Sequence, residues 1–149
     1  MIDARELINM IRLSDKFKRI KAPETGRTAI QLTYGNGFCY PMYYYIPSIT
    51  SDEKYLVYHQ ALDGEVQLYR LEFETGASVQ ITHADYPESQ WHIWCTDAGK
   101  GVLDHRSAVD IENNRVIYMN GNVVHVVDID TLEDRVFFRR LIQWDTQIP

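Results

Sequence analysis

Apolar and polar residues alternate along several short segments of this chain, and turn-forming residues separate the segments. Val66–Phe73 reads VQLYRLEF, with Asp63-Gly64 before it and Glu74-Thr75 after it. Such alternation predicts a β-strand with one buried face, and Asp-Gly between two strands predicts a tight hairpin. Lys54–Gln60, Ser78–Thr82 and an irregular, proline-containing Tyr43–Ile49 are the other predicted strands of this unit.

The same unit recurs later in the sequence. Asp63-Gly64 aligns with Asn120-Gly121, and Glu74-Thr75 aligns with Asp130-Thr131, at an offset of 57 or 56 residues. The earlier phrase PETGRTAIQLT, Pro23–Thr33, repeats the turn and the last strand once more. Four short strands in each repeat of roughly 40–50 residues are typical of β-propeller blades. The second unit has predicted strands at Ala108–Ile111, Arg115–Met119, Val123–Ile129 and Arg135–Phe138.

These repeats define the expected domain organisation. Residues 1–22 form a lead-in, where apolar residues three and four apart predict a short amphipathic α-helix over Ala4–Ile20. Residues 23–138 form a partial β-propeller, with a blade edge strand at 23–33, blade one at 43–82 and blade two at 91–138. Residues 139–149 lose the alternation and are predicted to be an irregular tail. The predicted fold class is all-β: about two four-stranded antiparallel blades behind a short helix.

Composition and charge narrow the function classes. The net charge of −6 argues against binding the phosphates of nucleic acids. No run approaches the roughly 18 apolar residues that a membrane span needs, and the N-terminus lacks the apolar core of a signal peptide. Two cysteines, Cys39 and Cys95, are too few for a disulfide framework and suit a reducing compartment. We therefore expect a cytoplasmic protein with no membrane or nucleic-acid partner.

The repeat also resembles a known family. Ser51–Thr82, SDEKYLVYHQALDGEVQLYRLEFETGASVQIT, is similar to the WD40-like β-propeller repeats of TolB-like proteins. Together with PETGRTAIQLT and YPMYYYIPSIT, it resembles the start of an oligogalacturonate lyase, and the resemblance covers Pro23–Phe138. It implies a cytoplasmic propeller enzyme of pectin degradation, which cleaves short galacturonate oligomers by metal-assisted β-elimination. In that family later blades supply the base, the substrate arginine, and the histidines and glutamine that hold Mn²⁺.

Three hypotheses about function follow. This sequence ends before those later blades, so the resemblance implies no catalytic residue, metal ligand or cofactor in this chain. The first hypothesis is the truncated N-terminal part of an oligogalacturonate lyase, inactive alone. The second is a non-enzymatic propeller module, which forms a homo-oligomer through exposed blade edges or pairs with a separate propeller chain. The third is a small enzyme that uses the long link His83–Arg106 by itself.

Candidate binding residues lie in the links between the predicted blades. Aromatic rings stack on sugar rings, and arginine pairs bidentately with a carboxylate. An alternative role for Arg106 is an ion pair with Asp104 that fixes the loop, and the tryptophans could instead pack between blades. His92-x-x-Cys95 lacks the further ligands that a metal site needs. The predicted contacts to an oligogalacturonate are Tyr40, Trp91, His92, His105 and Arg106.

Overall fold

The described part of the protein is built from short β-strands. A computed structural model describes residues 12–35, 37–87, 98–102 and 104–139. Apart from a short 3-10 turn at Asp104–Arg106, the regular structure of these residues is all-β, which confirms the predicted fold class. The strands are β1 (Lys18–Lys21), β2 (Thr28–Gln31), β3 (Phe38–Pro41), β4 (Tyr55–Leu62), β5 (Glu65–Glu72), β6 (Ser78–Gln80), β7 (Lys100–Gly101), β8 (Ser107–Asp110), β9 (Arg115–Asn120), β10 (Val123–Asp128) and β11 (Asp134–Arg139).

These strands form two larger sheets and one hairpin. The first sheet has the antiparallel order β3-β4-β5-β6, and β7 joins it by a short parallel pairing with β5. The second sheet has the antiparallel order β8-β9-β10-β11. Strands β1 and β2 form a separate two-stranded sheet, here called the N-terminal hairpin. This arrangement is consistent with a partial β-propeller.

Three turns in the chain share one geometry. They occupy residues 22–27, 72–77 and 128–133, and each joins the last two strands of its sheet. The N–H of the first residue donates to the carbonyl of the sixth at 2.8, 2.9 and 3.0 Å, respectively. The fifth residue has a positive φ of 66°, 70° and 64°. A threonine hydroxyl at the fourth position accepts the N–H of the sixth at 3.3, 3.1 and 3.3 Å. The threefold repeat seen in the sequence is therefore a structural repeat of the same hairpin.

Two tight turns, one between β4 and β5 and one between β9 and β10, are equivalent in the two repeats. The structure shows that the sequence alignment of these two turns is wrong by one residue. Asp63 and Gly64 both have positive φ, 52° and 80°, as a type I′ hairpin turn requires. In the second sheet Asn120 pairs with Val123, so the turn residues are Gly121 and Asn122. The equivalent of Asp63-Gly64 is thus Gly121-Asn122, not Asn120-Gly121.

The hydrophobic core lies on both faces of the first sheet. One face packs against the second sheet through a cluster that includes Val57, Leu68, Val116 and Val127, all with 0% exposure. The other face packs against the N-terminal hairpin and the residues that flank it. That second cluster contains Phe17, Tyr58 and Leu71, with Leu13, Ile30 and Leu32 partly buried at its edge. The order of layers is therefore hairpin, first sheet, second sheet.

Two predicted elements differ from the structure. The first part of the helix predicted over Ala4–Ile20, up to position 11, lies outside the described residues. The prediction is wrong for its last part, because Lys18–Lys21 is strand β1. Pairing with β2 over four residues fixes β1 in an extended conformation. The strand predicted at Tyr43–Ile49 is also wrong, because the first strand of that sheet is β3, which pairs with β4 from Phe38 to Pro41. No helix in the described residues is long and apolar enough to cross a bilayer.

Candidate functional site

A buried histidine lies where the first and second sheets meet. His59 is on β4, on the same face as Tyr55 and Val57, because side chains two residues apart point to one side of a strand. That face packs against the second sheet, and His59 is 0% exposed. Its imidazole stacks on the ring of Tyr40 in β3, with centroids 4.8 Å apart and planes within 3°. Tyr40 and His59 are also cross-strand partners in the register of β3 and β4.

Ser107 connects this ring pair to the second sheet. Its hydroxyl oxygen lies 3.4 Å from Nε2 of His59. Ser107 begins β8 and directly follows the 3-10 turn Asp104–Arg106. His105 is exposed in this turn, and Arg106 is half-buried. Tyr40 therefore stacks on His59, and Arg106 directly precedes Ser107 along the chain. We call Tyr40, His59 and Ser107 the inter-sheet cluster.

The end of the long link is held against the first sheet next to this cluster. Gly101 has a φ of 117°, and a Cβ there would lie 2.0 Å from the carbonyl oxygen of Val66. Only glycine allows this close approach of two backbones. Lys100 also forms an ion pair with Glu65 at 2.5 Å, and its hydrogen bond holds the pKa of that carboxyl below its usual value. These contacts fix where the chain re-enters the second sheet.

The remaining predicted contacts are placed as follows. Trp91 and His92, and also Trp94 and Cys95, lie outside the described residues, so the structure does not bring them to the inter-sheet cluster or separate them from it. Tyr40 is half-buried and lines a cavity of about 200 Å³ together with Cys39 and Tyr58. Burial raises the pKa of the Cys39 thiol, against a smaller opposite effect of Thr33. A thiol with a raised pKa is a poor nucleophile at neutral pH.

A second polar cluster spans the strands β9, β10 and β11 of the second sheet. The hydroxyl of Tyr118 donates to Oδ2 of Asp134 at 2.8 Å, and Nδ1 of His125 lies 3.0 Å from Oδ1 of the same carboxylate. The rings of Tyr118 and His125 stack at 4.8 Å. Burial raises the pKa of Tyr118, and the neighbouring Asp134 raises it further. Sequence reasoning did not single out this cluster, although His125 and Tyr118 are direct cross-strand neighbours.

Neither cluster has the donors that a manganese site requires. Within the described ranges, no group of three or more His, Cys, Asp or Glu side chains is arranged to hold a metal ion. The inter-sheet cluster offers one imidazole beside a phenol and a hydroxyl. The second cluster offers one imidazole and one carboxylate, and that carboxylate already accepts two hydrogen bonds. Divalent cations of this kind need a larger set of oxygen or nitrogen ligands.

Comparison with known proteins gives a likeness in fold. No protein-family model matches the chain, and no curated protein matches it. A solved oligogalacturonate lyase in complex with manganese aligns with 87% of this chain at 23% identity and a TM-score of 0.65. An oligogalacturonate lyase from Vibrio parahaemolyticus aligns with 86% at 21% identity and a TM-score of 0.62. The aligned parts are 31% and 30% of those chains, so this chain spans about a third of their length.

Proposed function

We propose that this chain forms part of an oligogalacturonate lyase-like β-propeller and performs no catalytic step by itself. The observation that carries the proposal is the shared fold, since 87% of the chain aligns with part of a manganese-bound oligogalacturonate lyase. The described residues contribute stacked sheets and two polar clusters, neither suited to a metal ion. In this proposal the metal and the base of the lyase reaction come from protein outside the described part.

The substrate class that we propose is a short galacturonate oligomer. Arg106, which is half-buried and directly precedes Ser107, has the planar guanidinium that pairs with a carboxylate through two hydrogen bonds. Tyr40 supplies an aromatic ring in the inter-sheet cluster, and exposed His105 supplies a second polar contact. Trp91 and His92 belong to the same link in sequence and remain proposed contacts. We also propose a cytoplasmic location, on the grounds of cysteine content alone.

Two measurements test this function separately. Galacturonate oligomers are mixed with the full chain, with and without Mn²⁺, and β-elimination is followed by the ultraviolet absorbance of the unsaturated product. We expect no turnover above the protein-free control. Binding is then followed by NMR shifts of the backbone amides of His105, Arg106 and Ser107. Turnover by the chain alone would establish the third hypothesis, a small enzyme, and absence of any shift would rule out the proposed substrate class.

A matched pair of variants locates the binding. Arg106→Gln removes a half-buried guanidinium next to Ser107 in the sequence, whereas Arg115→Gln removes an exposed guanidinium from β9. We expect the first change to weaken binding of the oligomer and the second to leave it unchanged. Equal weakening by both variants would mean that the oligomer responds only to net charge.

The non-enzymatic module remains the second candidate, and one observation favours it. Within the described ranges the N-terminal hairpin has two strands, where each of the other two sheets has at least four. Two strands alone are marginally stable in water, and this hairpin is supported on one side by its packing against the first sheet. A partner chain that adds strands would stabilise it without any chemistry.

A further inference from the structure

The N-terminal hairpin is an incomplete copy of the repeated unit. Its turn at 22–27 has the same hydrogen bonds and the same positive φ as the turns at 72–77 and 128–133. The strands that enter those two turns, β5 and β10, pair on both sides: β5 with β4 and β6, and β10 with β9 and β11. The equivalent strand β1 pairs with β2 alone in the part of the chain that the structure describes. Among the described residues, therefore, none occupies the position beside β1 that β4 and β9 occupy in the other sheets.

The hydrogen-bonding groups at this open edge can be assigned. In an antiparallel pair, every second residue bonds to its partner and the residues between point the other way. The N–H of Ala22 donates to the carbonyl of Arg27. Ile20 and Lys18 lie two and four residues before Ala22, so their backbone groups also point towards β2. The N–H and C=O groups of Arg19 and Lys21 consequently point away from β2. Their equivalents in the first sheet, two residues apart on β5, face β4.

The charge at this edge is unlike that of the rest of the chain. Lys18, Arg19 and Lys21 are all exposed. Residues 12–21 contain five basic residues and one acidic residue, whereas the whole chain has a net charge of −6. A second copy of β1 paired with this edge would place like charges opposite each other, which destabilises a cross-strand pair. The edge is therefore suited to a strand that carries acidic residues.

We propose that β1 accepts an extended acidic strand from another polypeptide, which pairs antiparallel with Arg19 and Lys21 and adds a third strand to the hairpin. Main-chain hydrogen bonds supply the affinity in such strand addition, and alternate side chains supply the specificity. The incoming strand takes the place that β4 has beside β5. This inference rests on the internal repeat and on the charge of β1, and it holds whether or not the protein takes part in lyase chemistry.

The test uses the full chain and two synthetic peptides with blocked ends. One peptide alternates Glu with Val, and the other alternates Lys with Val. Binding is followed by fluorescence anisotropy of labelled peptides, and hydrogen exchange of the amides of Arg19 and Lys21 is followed by NMR. We expect the Glu peptide to bind, to slow the exchange of these two amides, and to lose affinity in high salt. The Lys peptide should not bind.

Two variants separate strand addition from simple charge attraction. Arg19→Pro removes an N–H that points to the open edge and leaves the bonds to β2 intact, as proline is tolerated at an edge. It should abolish slowing of exchange at Lys21. The double variant Arg19→Glu, Lys21→Glu should weaken the Glu peptide roughly tenfold and create binding of the Lys peptide, since attractive cross-strand pairs on one face become repulsive. Near-ultraviolet circular dichroism confirms that each variant is folded.

Several outcomes would overturn the proposal. Equal binding of both peptides would mean that the edge does not select by charge. Undiminished binding of the Glu peptide to a folded Arg19→Pro variant would mean that no main-chain pairing takes place at β1. Slow exchange of Arg19 and Lys21 in the chain without peptide would mean that the edge is already covered. No binding of either peptide would mean that the lysines only protect an edge from aggregation, a role known for charged edge strands.

Discussion

The guanidinium of Arg70 donates a hydrogen bond to the backbone carbonyl of Asp130, and this bond joins the first sheet to the second. The N···O distance is 2.9 Å. The same nitrogen also contacts the carbonyl of Ile129, and the guanidinium lies over the ring of Tyr55 at 4.8 Å. Arg70 therefore holds a turn of the second sheet through its backbone, a contact that does not depend on the side chains of that turn.

Replacing Arg70 should weaken this attachment. Arg70→Met keeps the apolar stem and removes the donors, and we expect the free energy of unfolding to fall by about 1.5–3 kcal/mol, as for hydrogen bonds made by a charged group. Arg12→Met is the control, because its ion pair with Glu74, at 3.0 Å, is highly exposed. Such pairs contribute about 0–1 kcal/mol. Urea denaturation measures both, and equal losses would show that the contact to Asp130 is not stabilising.

Glycine at position 101 should be essential for attaching β7 to β5. A Cβ at Gly101 would lie 2.0 Å from the carbonyl oxygen of Val66, and the positive φ adds strain. We expect Gly101→Ala to cost more than about 2 kcal/mol, since the clash is with backbone that cannot move aside. Gly99→Ala is a matched control two residues away, with open space around the added methyl group. Thermal unfolding of the two variants should differ clearly, and similar melting temperatures would contradict the close approach.

Tyr118 should make the protein sensitive to alkaline pH. Burial, with Asp134 nearby, raises its pKa above the ordinary value of 10.0. Below that pH both the folded and the unfolded chain keep the proton, so the contribution to stability is complete. Above it the unfolded chain loses the proton first, and stability falls as pH rises towards the folded pKa. Tyr118→Phe removes the hydrogen bond to Asp134, so the free energy of unfolding should fall by about 1 kcal/mol at neutral pH. Its free energy of unfolding should then decrease less steeply at alkaline pH than that of the unchanged protein. Identical slopes in urea titrations at several alkaline pH values would refute this.

Asp128 should have the opposite pH dependence. Its Oδ1 accepts the N–H groups of Thr131 at 2.8 Å and Asp130 at 3.0 Å. These bonds, chiefly that of Thr131, hold the pKa below 3.8. The stabilisation is present above the unfolded value and is lost as pH falls through the folded value.

Two substitutions of Asp128 separate charge from hydrogen bonding. Asp128→Ala should lower the free energy of unfolding by about 1 kcal/mol at neutral pH. Because alanine cannot titrate, the variant should show no additional loss from this position as the pH falls. Asp128→Asn can still accept the N–H groups but cannot titrate, so it should keep more of the neutral-pH stability and lose the acid dependence. Guanidinium denaturation from neutral to acidic pH measures both. An acid-dependent difference between the two variants would place the titrating group elsewhere.

The strands were largely predictable because local chemistry specifies them. Alternation marks one buried face along β4 and β5, and residues that tolerate positive φ mark the turns between strands. The strand β1 could not be predicted this way: its sequence KRIK has a single apolar residue. Pairing with β2 makes it extended, and that pairing is a tertiary contact. The strand prediction for Tyr43–Ile49 was wrong for the opposite reason. The residues there favour a β-strand, but they have no full-length partner strand.

The candidate site was predictable only in part. The residue types of Tyr40 and Arg106 suggested ligand contacts, but the contact of Ser107 with His59 depends on how the two sheets stack. His59 stacks on Tyr40, and its signal in the sequence was weak: it continues the buried alternation of Tyr55 and Val57 as the one polar member. A polar residue in phase with a core face is the sign that could have found it.

The connection after β3 differs in length from the one after β8, although both join the first two strands of a sheet. Thirteen residues, 42–54, separate β3 from β4, while four residues, 111–114, separate β8 from β9. The longer connection includes Tyr44, which is 86% exposed. Chain length at this place can thus vary without moving either strand. It is accordingly a natural point of attachment for a fluorescent label or an inserted peptide tag, which would report on the assembly of the protein while leaving β1 untouched.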